Sequence, residues 1–296
     1  MKNFRAFLRL IRPEHWLKNL FIFLPAFFNG SILIPGISIS LLISFISFSL
    51  IASSVYIFND YCDIDNDRLH PEKKKRPLAA NEISKNIAFA GMIIFLFSGL
   101  ILAFLQNIVL LWIALSYLII NIAYTLRLKN IAILDVNIIA IGFIIRILFG
   151  GITSNVIISK WLWIITYLLA LILAFGKRRT ELSICLNSGE QTRKSITGYS
   201  LEFINNSIVF MVAVLVVSYI MYSISPEVTL RLNSEHIYLT SFFVVLGMLR
   251  FLQQTMVFNN TGSPSNLLVK DRFIQLILVG WTLMFVYFIY FPKLSF

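Results

Sequence analysis

The chain has 296 residues, is 58% hydrophobic and only 13% charged, and has a mean hydropathy of +0.83. Soluble domains carry roughly 25% charged residues, so this composition excludes an ordinary water-soluble globule and describes a bilayer protein. The net charge of +11 does not point to nucleic acid, because loop bias and attraction to anionic lipid account for the cations.

The opening FRAFLRLIRP sets Arg5, Arg9 and Arg12 at helical spacing beside Phe4, Phe7, Leu8 and Ile11. That pattern predicts an interfacial amphipathic helix over 1–15 on the inner membrane surface. Apolar stretches follow at 17–35, 38–58, 86–105, 108–124, 134–153, 161–176, 206–225, 237–257 and 273–291, nine in all. At about 1.5 Å per helical residue they match a hydrocarbon core about 30 Å thick. Helices are the expected unit, because each backbone polar group in lipid has to be satisfied within its own segment. No small-residue cleavage site follows the first stretch, so it reads as a span rather than a removed leader. The prediction is one all-α integral membrane domain over 1–296.

Orientation follows from the cations. With the amino terminus in the cytoplasm, 20 of the 25 Lys and Arg lie inside, and only Lys160, Arg231 and Lys293 lie outside. The positive-inside rule therefore predicts a multi-pass protein of a bacterial-type inner membrane, with the chemically rich loops cytoplasmic. Two such loops stand out, an Asp-rich one at 59–85 and a basic one at 177–205. Cys62 and Cys185 both fall on the inner side, where thiols stay reduced, and His15, His70 and His236 are scattered without zinc-ligand spacing.

The segment NDYCDIDNDRLHPEKKKRP, 59–77, holds the densest charge. Asp60, Asp63 and Asp67 stand at i, i+3 and i+7, which on a continuous helix brings three carboxylates to one face bordered by Asn59. An Asp at the centre of a span costs about 2.5–3.5 kcal/mol, so three require a wet edge and an offsetting charge. Hard oxygen ligands without His or Cys favour Mg²⁺, which takes one or two carboxylates and shares its shell with a substrate's phosphates. The cluster thus implies a diphosphate-bearing substrate.

N-D-x-x-D-x-x-x-D at the end of a span resembles the signature of the UbiA-type intramembrane prenyltransferase superfamily. That resemblance implies a nine-transmembrane-helix bundle around a central cavity opening to the cytoplasmic side, with Mg²⁺ binding a diphosphate. Aromatic prenyltransferases of the superfamily carry a second aspartate motif after the sixth span, but residues 175–200 here contain no Asp. Several stretches instead resemble the decaprenyl-phosphate phosphoribosyltransferase branch: RPEHWLKN at 12–19, DRLHPEKKKRPLAA at 67–80, YTLRLKN at 124–130 with Asp135, GFIIRILFGG at 142–151, GKRRTEL at 176–182, RKSITGY at 193–199 and GSPSNLLVKDR at 262–272. Two departures are Arg179, where the branch has an aromatic residue, and Asn81, where it often has Gly.

The resemblance implies transfer of 5-phosphoribose from 5-phosphoribosyl 1-diphosphate to a polyprenyl phosphate, with Asn59, Asp63, Asp60 and Asp67 as catalytic and metal-site residues. Lys18, Tyr56, Lys73, Lys129, Lys177, Arg178, Arg193 and Lys194 are the expected donor-phosphate ligands. Arg146, a cation inside an apolar span, is the expected acceptor-phosphate ligand, with Asp135 as an alternative counter-ion. The competing readings are prenyl transfer from an isoprenyl diphosphate to an aromatic or other small acceptor, and a membrane transporter or lipid-binding protein.

Overall fold

The computed structural model of the protein describes residues 2–69, 73–188, 194–259 and 270–290. Its helices are α1 (Lys2–Ile11), α2 (Leu24–Phe28), α3 (Pro35–Cys62), α4 (Ile64–Leu69), α5 (Lys85–Gln106), α6 (Ile108–Leu126), α7 (Leu134–Ser154), α8 (Lys160–Ser188), α9 (Leu201–Ile224), α10 (Pro226–Leu232), α11 (Ser241–Met256) and α12 (Arg272–Tyr290), with short 3₁₀ segments between some of them. Eight described helical stretches are long and apolar enough to cross a membrane, beginning with Pro35–Cys62 and ending with Arg272–Ile289.

Those eight correspond to the second through ninth stretches expected from the sequence. The first, 17–35, is not one helix. Pro13–Phe23 is a 3₁₀ segment that passes into the five-residue α2. Pro25 lacks the N–H that would bond the Phe21 carbonyl, and Leu24 N–H takes that carbonyl in 3₁₀ fashion instead. A turn through Gly30, at φ 73°, then precedes Pro35 at the first turn of α3.

The residues form two compact units, 1–129 with 145–157 and 130–144 with 158–296. In the first, α3 packs along α5 through small residues. Gly99 lies against Ser47 and Ile51 of α3, and the Ser47 hydroxyl donates to the Gly99 carbonyl at 2.8 Å. Close backbone approach of this kind is how membrane helices gain contact without a hydrophobic drive. A serine face of α3 also anchors the preceding chain: Ser53 donates to the Ile11 carbonyl at 2.9 Å and accepts from Trp16 at 3.0 Å, and Ser49 accepts from Asn19 at 2.8 Å.

The amphipathic helix α1 turns part of its apolar face to the protein. Ala6, Leu10 and Ile11 are buried with Ile57, Ile64, Leu78, Ile83 and Ala88. The Asp-rich stretch is therefore a packed cap rather than an open loop, and Arg9 pairs with Glu82 across it. Asn81 adopts φ 55°, a left-handed conformation that Asn tolerates.

In the second unit, α8 continues to Ser188, so 177–188 is helix and not the loop expected from its charge. No Gly or Pro follows Gly176 before that point to interrupt the helix. Asp271 caps α12: its carboxylate accepts from Phe273 N at 2.9 Å and Ile274 N at 3.1 Å, and from Arg250 Nε at 3.0 Å. Burial alone would raise this carboxyl's pKa, but those donors outweigh it and hold the group below the usual carboxylate range.

Two outcomes are expected in thermal unfolding of detergent-solubilised protein. A Cβ on Gly150 would stand 1.9 Å from the Ile22 carbonyl oxygen, whereas one on Gly36 meets nothing within 4 Å. Gly150→Ala should lower stability by about 1–3 kcal/mol or more, and Gly36→Ala should not lower it. Because the folded-state pKa of Asp271 is depressed, its contribution is present above the unfolded carboxylate pKa and disappears as pH falls through the folded value. Asp271→Asn should thus cost about 1–2 kcal/mol at neutral pH, with wild type and variant converging in acid.

Candidate active site

The C-terminal end of α3 places Asn59 and Asp60 in its last turn. Asp63, at φ −100° and ψ 8°, breaks the helix before α4. The break corrects the single-face arrangement expected from spacing, because the carboxylates divide into two sets. Asp60 and Asp67, 2% and 3% exposed, converge on one guanidinium: Arg76 Nη1 lies 3.0 Å from Asp60 Oδ1 and 2.7 Å from Asp67 Oδ2. Arg12 donates to the same Asp60 oxygen at 2.5 Å. Asp63 faces a different cation, with both of its oxygens on Lys129 Nζ at 2.6 and 2.8 Å. The fourth aspartate, Asp65, is exposed near Arg68.

Arg12 reaches Asp60 from a left-handed backbone, φ 51° and ψ 62°, between α1 and the 3₁₀ segment. A non-glycine residue in that region is held there by its surroundings, here by the ion pair and by stacking of the guanidinium over the Tyr56 ring at 5.5 Å. Burial pushes the Asp67 carboxyl above its ordinary value, with Arg76 and Lys73 opposing that shift. Asp60 Oδ2 is buried without a hydrogen-bond partner, and Asn59 Oδ1 accepts from Thr125 at 3.3 Å.

Deeper in the same unit lies a second polar group. Arg146, 4% exposed, donates through Nε to Asn19 Oδ1 at 2.7 Å and through Nη2 to the Tyr117 hydroxyl at 3.4 Å. Its guanidinium lies over the rings of Phe48 and Tyr117 at 4.9 and 5.3 Å. Lys18 Nζ is 3.3 Å from His15 Nδ1, and the His15 ring meets Tyr56 edge-on at 5.1 Å. Aromatic and neutral polar partners leave a guanidinium's positive field largely intact, which suits it to an anion.

Asp135 belongs to the other unit. It accepts from Tyr199 at 2.6 Å and Ser195 at 3.2 Å, and Arg178 Nε lies 3.5 Å from it. Burial and the Asp135 carboxylate push the Tyr199 phenol well above its ordinary value, so it remains a donor. Arg178, 1% exposed, also pairs with Glu181; the structure encloses the guanidinium that the sequence placed around a donor phosphate. Arg179 bonds Asn205 at 2.8 Å and Asn259 at 2.6 Å. Lys177 is exposed on α8. Arg193 and the Lys194 side chain lie outside the described residues.

The structure thus brings together Asn59, Asp60, Asp63, Asp67 and Lys129 at one end of the first unit, and Lys18, Tyr56 and Arg146 near one another within it. Sequence reasoning did not assign Arg12, Arg76, Asn19, Tyr117 or Thr125 to the site. Arg12, Asn19 and Arg76 sit inside the quoted motifs, which was the available signal; Tyr117 and Thr125 sit in an apolar span with none.

A polytopic all-helical membrane protein with an Asn/Asp motif gripped by cations where a spanning helix ends is the class that fold and site define. The chain belongs to the UbiA prenyltransferase family, which residues 20–179 match. It is 27% identical over 284 residues to the decaprenyl-phosphate phosphoribosyltransferase of Mycolicibacterium smegmatis, covering 93% of this chain and 89% of that one. It is 24% identical over 289 residues to the Corynebacterium glutamicum protein of the same name, covering 96% and 86%. Its fold is similar to a UbiA homolog from Archaeoglobus fulgidus whose structure was solved bound to GPP and Mg²⁺, with a TM-score of 0.68, 20% identity and coverage of 96% of this chain and 98% of that one.

The ion pairs differ in what their loss exposes. Arg76→Ala leaves two buried carboxylates short of a partner and should cost about 3 kcal/mol, near the low end for a buried pair because Arg12 stays on Asp60. Arg9→Ala removes an exposed, solvent-screened pair and should cost about 0–1 kcal/mol. Thermal unfolding of the two variants side by side measures the difference.

Proposed function

We infer that the protein is an Mg²⁺-dependent transferase that moves 5-phosphoribose from 5-phosphoribosyl 1-diphosphate to a polyprenyl phosphate of the decaprenyl type. The site is assigned to the cytoplasmic face of a bacterial-type inner membrane, in keeping with the cation bias. The observation that carries the reading is similarity across 93% of the chain to a protein named for that reaction. The absence of Asp from residues 175–200 supports it against prenyl transfer to an aromatic acceptor.

Among the described residues, no three Asp, Glu, His or Cys side chains are grouped to hold an ion. The donors still fit Mg²⁺, which needs few protein ligands when a diphosphate completes its shell. Asn59 and Asp63 offer hard oxygens, Asp60 Oδ2 is buried and unpartnered, and the Lys129 ammonium already stands on Asp63 as a cation would. Asn59 and Asp63 would hold the ion, Asp60 is the next donor, and Asp67 acts by orienting Arg76. Mg²⁺ bound there would neutralise charge building on the departing diphosphate.

The residues of the first unit supply the rest. Lys18, Lys73, Lys129 and the Tyr56 hydroxyl are assigned to the donor's phosphate oxygens, with Lys as movable point charges. Arg146, kept in orientation by Asn19 and Tyr117, is assigned to the acceptor's phosphate. The C1–O bond to diphosphate breaks, an acceptor phosphate oxygen bonds to C1, and diphosphate leaves with the electron pair. A phosphate monoester is already ionised near neutral pH, so holding two polyanions together is the task, not proton removal.

Purified protein given Mg²⁺, a polyprenyl phosphate and labelled 5-phosphoribosyl 1-diphosphate should yield a lipid-linked phosphoribose. Product from an isoprenyl diphosphate alone would place the protein with the prenyl transferases. Flux or lipid binding without turnover of either donor would place it with transporters or lipid binders. Asp63→Ala should lower turnover at least about a hundredfold, with the protein still inserted in membranes; wild-type rates at saturating Mg²⁺ would remove Asp63 from the site.

A further inference from the structure

Lys129 holds Asp63 by both carboxylate oxygens, and the two side chains are only 15% and 19% exposed. Asp60 and Asp67, by contrast, are fastened by arginines, one of which, Arg76, spans both. The site therefore contains two kinds of counter-charge. Arg76 and Arg12 are delocalised forks bound into a packed cap, while Lys129 is a compact charge on a flexible stem in the short 3₁₀ segment Leu128–Asn130 after α6. Moving Arg76 would release two buried carboxylates at once, whereas moving Lys129 releases one.

Resting on the reading that Asp63 helps hold the metal, we propose that Lys129 is a loading gate. In the ligand-free protein it occupies Asp63 and suppresses binding of a lone divalent ion. A diphosphate group gives the ammonium a different anion, releases Asp63, and so admits metal and diphosphate together. A lone ion approaching Asp63 has to displace a largely buried ammonium and leave it beside another cation, with no anion gained. A metal ion arriving with a diphosphate meets neither cost. The coupling is reciprocal: whatever factor the diphosphate adds to metal affinity, the metal adds to diphosphate affinity. The consequence is a site that does not fill with a metal ion alone, although Mg²⁺ is abundant in a cytoplasm.

The test is Mn²⁺ binding to full-length protein in detergent, read from the free-ion signal in electron paramagnetic resonance, with and without inorganic pyrophosphate. A pair closed about nine-tenths of the time lowers apparent affinity about tenfold. Lys129→Gln should therefore bind Mn²⁺ alone about tenfold more tightly than wild type and gain less from pyrophosphate. Lys129→Met, neutral and of similar length, should do the same, and Lys129→Arg should remain weak without pyrophosphate. Unchanged or weaker Mn²⁺ binding by both neutral variants would overturn the gate. Asp63→Asn in the Lys129→Gln background separates the two layers: its loss of the tightened binding supports the gate on Asp63, and full retention would overturn the assignment of Asp63 as a ligand along with the gate.

Discussion

The pairing of the aspartates at the end of α3 with cations, Asp60 and Asp67 sharing Arg76 and Asp63 taking Lys129, is the constraint on which the candidate site depends. These three aspartates within eight residues at the end of a spanning helix are costly without counter-charges. Arg12 and Arg76 provide them for the buried two, and Lys129 for the third. Arg76 also ties the Asp-rich cap to α3, and Arg12 ties α1 and the 3₁₀ segment to it. The electrostatic solution and the local fold are thus one arrangement, and the serine face of α3 reinforces it by holding Trp16, Asn19 and the Ile11 carbonyl.

The same logic governs the deeper part of the first unit. An arginine in an apolar span is tolerable only with partners, and Arg146 has an amide, a phenol and two ring faces. Those partners fix the guanidinium's direction without cancelling its charge. In the other unit Arg178 is treated in the opposite way: Asp135 and Glu181 cancel its charge, and Tyr199 and Ser195 complete the acceptors' bonds. Arg146 is suited to a ligand, while Arg178 ties α8 to Asp135 of α7, whose carboxylate in turn accepts from Ser195 and Tyr199.

Much of this was legible in the sequence. Eight spans could be read because lipid demands long apolar helices, and the Asn/Asp motif because carboxylates at a span's end are costly. The first span could not be read correctly from hydropathy, since Pro25 and Gly30 redirect the backbone without changing the apolar count. The helix break at Asp63 lacked any Gly or Pro signal, so spacing alone put three acids on one face. Arg12 and Arg76 looked like topology cations, and Asn19, Tyr117 and Thr125 like incidental polar residues. Their roles arise from which helices meet, and pairs such as Arg146 with Asn19 join parts of the chain far apart in sequence.

A structure determined with Mn²⁺ and a non-reacting analogue of 5-phosphoribosyl 1-diphosphate, the ion located by its anomalous scattering, tests the central claim most directly. The account predicts the ion on Asp63 and Asn59 and the Lys129 ammonium moved onto a diphosphate oxygen, with Arg76 still bridging Asp60 and Asp67. An ion and diphosphate bound elsewhere, with Lys129 still closed on Asp63, would contradict it.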